Sequence, residues 1–219
     1  SVGALVAEDG LTLPSQEELL AVTRAKADTE PEKAAAAADL LAALRSFRLE
    51  PGFRQVQHPY KRYSLACAAY RLRVPFTGHP SFGQDIIYAH PLSRGSAVGR
   101  TAERDFLSFA RSVSALQGGT YLSLGSAVMS PMIFEKSLSM ARNLALQEGR
   151  SLDDFRIFVV DLAPMTWDWQ VQGEPPPDHP AYYLRYCKTF SRMGGSMSYL
   201  CADNRAFLQA LYVKLRKKK

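Results

Sequence analysis

Cysteine is scarce in this chain: three residues in 219, Cys67, Cys187 and Cys201, odd in number and far apart. There is no Cys-x-x-Cys pair and no histidine at a ligand interval, so neither a disulfide framework nor a zinc site is indicated. Long apolar runs are missing too. None approaches the ~20 residues that cross a bilayer. No charged-then-apolar leader with a small-residue cleavage site opens the sequence, and the expectation is a cytoplasmic protein with no membrane partner. Both common phosphate-cradling motifs, G-x-G-x-x-G and G-x-x-x-x-G-K-[ST], are absent. So is the G-x-S-x-G elbow of a serine nucleophile, and no cysteine sits in an obviously basic helix-start setting.

Charge of one sign is not abundant either. Lys and Arg total 27 against 21 acidic residues, a net +6, and Lys217, Lys218 and Lys219 supply half of it. A frayed basic tail over 216–219 accounts for this. A nucleic-acid groove needs basic residues spread over one face among aromatics, so no nucleic-acid partner is expected. With 47% hydrophobic and 22% charged residues the chain is neither disordered nor fibrous. At about 150 residues per domain its length suggests one domain with a small appendage, able to bury about 70% of its unfolded surface.

Residues 1–60 read as helices and connectors. Ser15 with Glu18, and Thr29 with Glu32 around Pro31, have capping-box spacing. The alanine run from Ala34, continuing through Leu40, Leu41 and Leu44, favours a packing helix. From Tyr63 helix and strand alternate. Ser64 to Leu72 reads as a helix and Val74 to Gly78 as a short buried strand. Ala102, Phe106, Phe109, Ala110, Val113 and Leu116 form an amphipathic stripe, and Thr120 to Leu124 a second strand. Ile133, Phe134, Leu138, Ala141 and Ala145 mark another helix, and Ile157 to Val160 a central strand. This alternation predicts an α/β fold, a parallel sheet with helices on both faces, whose ligands collect beyond the carboxyl ends of the strands.

The segments after the expected strands are therefore the candidate site. The first holds His79, Asp85 and His90. Asp85 is either a carboxylate facing a cationic group or the cap of a following helix, and each histidine either moves protons or fills a polar gap. After the second strand come Gly125 and Ser126, with Ser130 and Pro131 expected as N-cap and first turn, a natural anion site. Asp161 ends the third strand, where a carboxylate can accept ribose hydroxyls. Beyond it lie Trp167, Trp169, Asp178 and His179. The tryptophans either cover a ring or ammonium group, or cover the core with the proline run before His179 serving as a stiff surface connector.

Ser64 through Pro75, Asp85 to His90, and Gly118 through Asn143 together resemble the deoxyhypusine synthase family, most nearly its bacterial deoxyhypusine-synthase-like branch of unassigned activity. The likeness covers residues 60–180, with the helix-strand-loop order kept. It implies a Rossmann-like NAD-binding fold over 61–215, assembled as a tetramer, with cofactor and polyamine near subunit interfaces. Enzymes of this family use NAD to oxidise spermidine. They then pass its aminobutyl group through an enzyme lysine to a lysine on a translation factor.

The family's Gly-Asp falls on Gln84 and Asp85, which implies that Asp85 faces an amine. Most of the family's Thr-Asp-Gly-Ser loop has no counterpart. Where the family reads three glycines, two apolar residues, the catalytic lysine and two histidines, this chain has Gly125-Ser126-Ala127-Val128-Met129-Ser130-Pro131-Met132. Ser130 stands in place of the lysine, and a hydroxyl cannot form the imine that carries the aminobutyl group. Lys136 lies further along the helix and reads as solvated. The family's amino-terminal portion has no match in residues 1–55, so 1–60 reads as a helical remnant of a longer domain.

The expectation is thus a deoxyhypusine synthase-like protein, in the class of NAD-dependent transferases or oxidoreductases. Gly125, Ser126 and Asp161 would hold NAD, and Asp85, His90, His79, Asp178, His179 and Trp167 a small amine-bearing ligand such as a polyamine. The alternative is a non-catalytic oligomeric scaffold that retains the fold.

Overall fold

A computed structural model describes residues 1–217, so Lys218 and Lys219 of the expected tail lie outside the described residues. Two compact units divide between Phe106 and Leu107. The boundary expected after residue 60 falls inside the first of them.

In the first unit α1 (Val2–Glu8) packs on α4 (Leu65–Leu72). Glycine at position 3 follows from that contact, because a Cβ there would lie 2.4 Å from the Ala66 carbonyl oxygen. β1 (Gly10–Leu13) pairs antiparallel with β2 (Gly52–Gln55), and between them α2 (Gln16–Lys26) and α3 (Pro31–Ser46) pack together as a helical hairpin. The Ser15 capping box forms as expected: the Glu18 amide donates to Ser15 Oγ at 3.1 Å and the Ser15 amide to the Glu18 carboxylate at 2.7 Å. The box expected at Thr29 does not. Glu30 precedes α3 without a side-chain cap, and Pro31, whose fixed φ presets the first turn, takes the first position. Leu13, Leu19, Ala37, Leu41 and Leu44 bury one another, which makes the alanine-rich run a packing helix.

No strand forms over residues 74–78. Val74 and Phe76 are 56% and 59% exposed, and Pro75 between them has no amide to give a ladder. The Asp85 segment therefore does not leave a sheet. It turns through a 3-10 helix, Ile86–Ala89, and leads to α5 (Gly95–Ser114), which carries the stripe from Ala102 to Val113.

The second unit is a three-stranded parallel sheet flanked by helices, an α/β arrangement. Its strands β3 (Thr120–Leu124), β4 (Arg156–Asp161) and β5 (Ser196–Cys201) lie in that order, with β4 central as its apolar run predicts. The first crossover is α6 (Met129–Gln147). The second contains α7 (Trp169–Gln172), a 3-10 turn over Pro180–Tyr183 and α8 (Arg185–Ser191), and α9 (Asn204–Arg216) follows β5. Ile157 and Val159 of β4 and Met197 of β5 share one face. Phe134, Leu138 and Ala141 of α6 and Cys187 and Phe190 of α8 cover it. Phe134, Ile157 and Phe190 are fully buried, at about 1.5–3 kcal/mol each for removing such a side chain from water. Phe190→Ala, opening a cavity in this layer, costs about 3–5 kcal/mol.

Candidate functional site at the carboxyl end of the sheet

The parallel register sets Leu124 beside Val160, and the Gly125 amide continues the ladder by donating to the Val160 carbonyl at 3.0 Å. Gly125 and Asp161 are thereby neighbours at the sheet's carboxyl edge. Gly125 has a φ of +59°, and a Cβ there would lie 2.3 Å from Asn204 Nδ2, so both backbone and space demand glycine. Asn204 Oδ1 is buried and has no hydrogen-bond partner among the described residues. Asp161 Oδ1 accepts the Ala163 amide at 3.1 Å, and no described residue bonds its other oxygen. The Asp161 carboxylate oxygen left without a partner beside this glycine corner is an acceptor of the kind a hydroxyl donor uses.

Ser130 does not cap α6. The helix begins at Met129 after Val128, which contributes no side-chain cap, and Ser126 Oγ accepts the Ser130 amide at 3.0 Å. The Ser130 hydroxyl instead lies 2.7 Å from the Tyr121 hydroxyl and accepts a hydrogen bond from Ser123 Oγ at 2.9 Å. Burial pushes the Tyr121 phenol above its usual range, and its ring stacks on Phe134 with centroids 4.2 Å apart. The sequence reading missed this trio. Its signal is two hydroxyl residues at alternate positions on a strand, facing a third in the first turn of the next helix. Lys136 is exposed and paired with Glu135 at 3.2 Å, the solvated outcome expected of it.

Tyr199 of β5 and Tyr186 of α8 stand near Asp161, their hydroxyls 3.4 Å apart, and Tyr199 donates to the Ala163 carbonyl at 2.6 Å. Burial first, then the Tyr186 hydroxyl and the Asp161 carboxylate, raise the Tyr199 phenol. Burial likewise pushes the Cys187 thiol up to about 12, which makes it inert as a nucleophile.

Beyond Asp161 the chain borders an open hollow of about 530 Å³ against β5. Its walls include Trp167, Trp169 and Tyr199, and its lining holds one carboxylate, Asp168, and no basic residue. Asp168 also accepts the amides of Gln170 and Val171 at 3.0 and 3.3 Å, and so starts α7. Trp169 is buried, with its Nε1 unpartnered among the described residues. Trp167 Nε1 donates to the Gly173 carbonyl at 2.9 Å, and its ring lies 4.7 Å from that of His179. His179 Nδ1 accepts the Ala181 amide at 3.1 Å, and Asp178 beside it is exposed. The sequence reading singled out both tryptophans but missed Asp168 between them.

The remaining candidates belong to the first unit. Asp85 Oδ1 accepts the Ile87 amide at 3.1 Å and caps the 3-10 turn, and His90 Nδ1 accepts the Leu92 amide at 3.1 Å. His79 Nε2 is 3.0 Å from Thr77 Oγ1, and burial lowers its basicity. No family model, curated protein or solved structure matches this chain.

Proposed function

We propose that this chain is a deoxyhypusine synthase-like protein with a Rossmann-like sheet unit, and that it binds a small amine beside a nicotinamide dinucleotide without making deoxyhypusine. The observation that carries the reading is the hollow of Trp167, Asp168, Trp169 and Tyr199: aromatic walls, one carboxylate and no basic residue. An ammonium group gains from a ring face and from a carboxylate, and no cation in the lining opposes it. Asp178 and His179, next to Trp167, extend the same acidic and aromatic surface. On the cofactor side, Gly125 and Ser126 form the corner, and Asp161 accepts ribose hydroxyls. When bound, the nicotinamide supplies a hydride acceptor for a carbon next to an amine. Ser130, tied to Tyr121 and Ser123, offers no amine for an imine.

Both tryptophans of the chain line the hollow, so tryptophan emission, excited selectively over that of the tyrosines, reports on it. Spermidine should change that fluorescence saturably, and Asp168→Asn, which keeps the capping oxygen and removes the charge, should weaken binding roughly tenfold with an unchanged melting temperature. Equal binding by the variant would sink the amine assignment.

One observation favours a non-catalytic oligomeric scaffold instead. Asp85, His90, Asp161 and His179 each accept a backbone amide two residues on, a purely structural task. A scaffold should show the same melting temperature with and without NAD, in the parent chain and in Asp161→Ala alike.

A further inference from the structure

The first unit contains a hollow of the opposite character, about 510 Å³, between α3, the segment 87–94 and the first half of α5. Its walls are apolar, built from side chains such as Leu40, Ile87, Leu92 and Val98. Its charged lining is one carboxylate, Asp39, against three guanidinium groups, Arg94, Arg100 and Arg104.

The carboxylate is already engaged. Ser96 Oγ donates to its two oxygens at 2.9 and 2.8 Å, and Arg100 pairs with it. The Arg100 hydrogen bond above all holds the Asp39 carboxyl below its usual range. Glu32, outside the lining, is 4.0 Å from Arg100 as well. Two cations remain without a direct ion pair, Arg94 acting on Asp39 only through space. Arg94 donates only to the carbonyls of Pro91 and Ser93, at 3.3 and 3.2 Å. Arg104 has no hydrogen bond or ion pair among the described residues. His90 completes the lining, and its accepting Nδ1 leaves Nε2 as a donor when the ring is neutral.

An open apolar hollow with two guanidinium groups that no carboxylate pairs directly, and a ring N–H, suits a ligand with an aliphatic body and an anionic head. Guanidinium forks bind carboxylate and phosphate oxygens in pairs. We infer that this hollow binds a small amphipathic anion, a carboxylate or phosphate monoester on a short aliphatic chain. This assigns His90 to an anion rather than to an amine, and it does not rest on the proposed amine site, which lies in the other unit.

Calorimetry on the full chain with octanoate, octyl phosphate and octylamine tests the inference. At least one of the two octyl anions should bind with one-to-one stoichiometry, the tighter naming the head group, and octylamine should not compete. Acetate and inorganic phosphate, lacking the aliphatic body, should bind at least about tenfold more weakly. Arg104 is exposed and makes no hydrogen bond or ion pair among the described residues, so Arg104→Ala should melt like the parent while losing roughly tenfold in anion affinity. Arg104→Gln should behave the same way, and spermidine binding should be untouched in both. Absence of anion binding, competition by octylamine, or unchanged affinity in the Arg104 variants would overturn it.

Discussion

The Ser130 hydroxyl bridges two others, lying 2.7 Å from that of Tyr121 and taking a hydrogen bond from Ser123, which is 2% exposed. Removing the bridge strands a buried donor, and an unsatisfied buried hydroxyl costs about 1–3 kcal/mol. Ser130→Ala should lower stability by that amount in urea melts. Adding Ser123→Ala should recover part of the loss, because the orphan is removed with it. Strict additivity of the two substitutions would show that the hydroxyls are not coupled.

Gly125 joins β3 to α6 with a φ of +59° and contact-limited space beside Asn204. Gly125→Ala combines a left-handed alanine, about 1–2 kcal/mol, with displacement of the asparagine. In an Asn204→Ala background the second cost disappears, so the same glycine substitution should then be milder. Equal costs in both backgrounds would remove Asn204 from the account of this corner.

Asp39, on α3 at the hollow of the first unit, predicts a pH dependence. Its folded acidity is depressed, chiefly by the hydrogen bond from Arg100. Its contribution is therefore complete at neutral pH, above the ordinary aspartate value of about 3.9, and fades as pH falls through that value toward the lower folded one. Asp39→Asn should destabilise the protein at pH 7 by about 1–2 kcal/mol. The gap between variant and parent should narrow progressively below about pH 4. A gap that widened on acidification would contradict the pairing.

The three thiols should separate cleanly. Cys201 is exposed, whereas Cys67 and Cys187 are 1% and 0% accessible. A thiol reagent at neutral pH should modify one cysteine in the native protein and three after denaturation, and Cys201→Ser should abolish the native reaction. Rapid labelling of Cys187 would contradict its burial.

Regular elements whose signal is local were legible in the sequence. Thr120–Leu124 is the strand its pattern predicts, and Ile157–Val160 is central because it is apolar on both faces. Val74–Gly78 has a similar apolar content, yet it stays irregular: a strand exists only if a neighbour pairs with it, and Pro75 has no amide to pair. β5 went unread because its Met197 and Tyr199 alternate with serines and a leucine at a sheet edge. β1 and β2 are joined across the whole α2–α3 hairpin, which no local window spans. The site was legible only in part. Short polar side chains such as Asp85, His90 and His179 suit both a ligand and a turn, and in each the turn claims one acceptor. Asp168, the charge in the aromatic hollow, was hidden by its two tryptophan neighbours. Arg104, an exposed helix residue, carries no local signal, because the hollow it lines is built with α3 and the segment before α5.

Joint binding of an amine and a nicotinamide dinucleotide in the sheet unit is the core of the proposed function. Calorimetry on the full chain with NAD, with spermidine, and with spermidine after saturation by NAD tests it most directly. Saturable heat from both ligands, with spermidine bound more tightly once NAD is present, is the predicted result. No heat from either, alone or together, would contradict it.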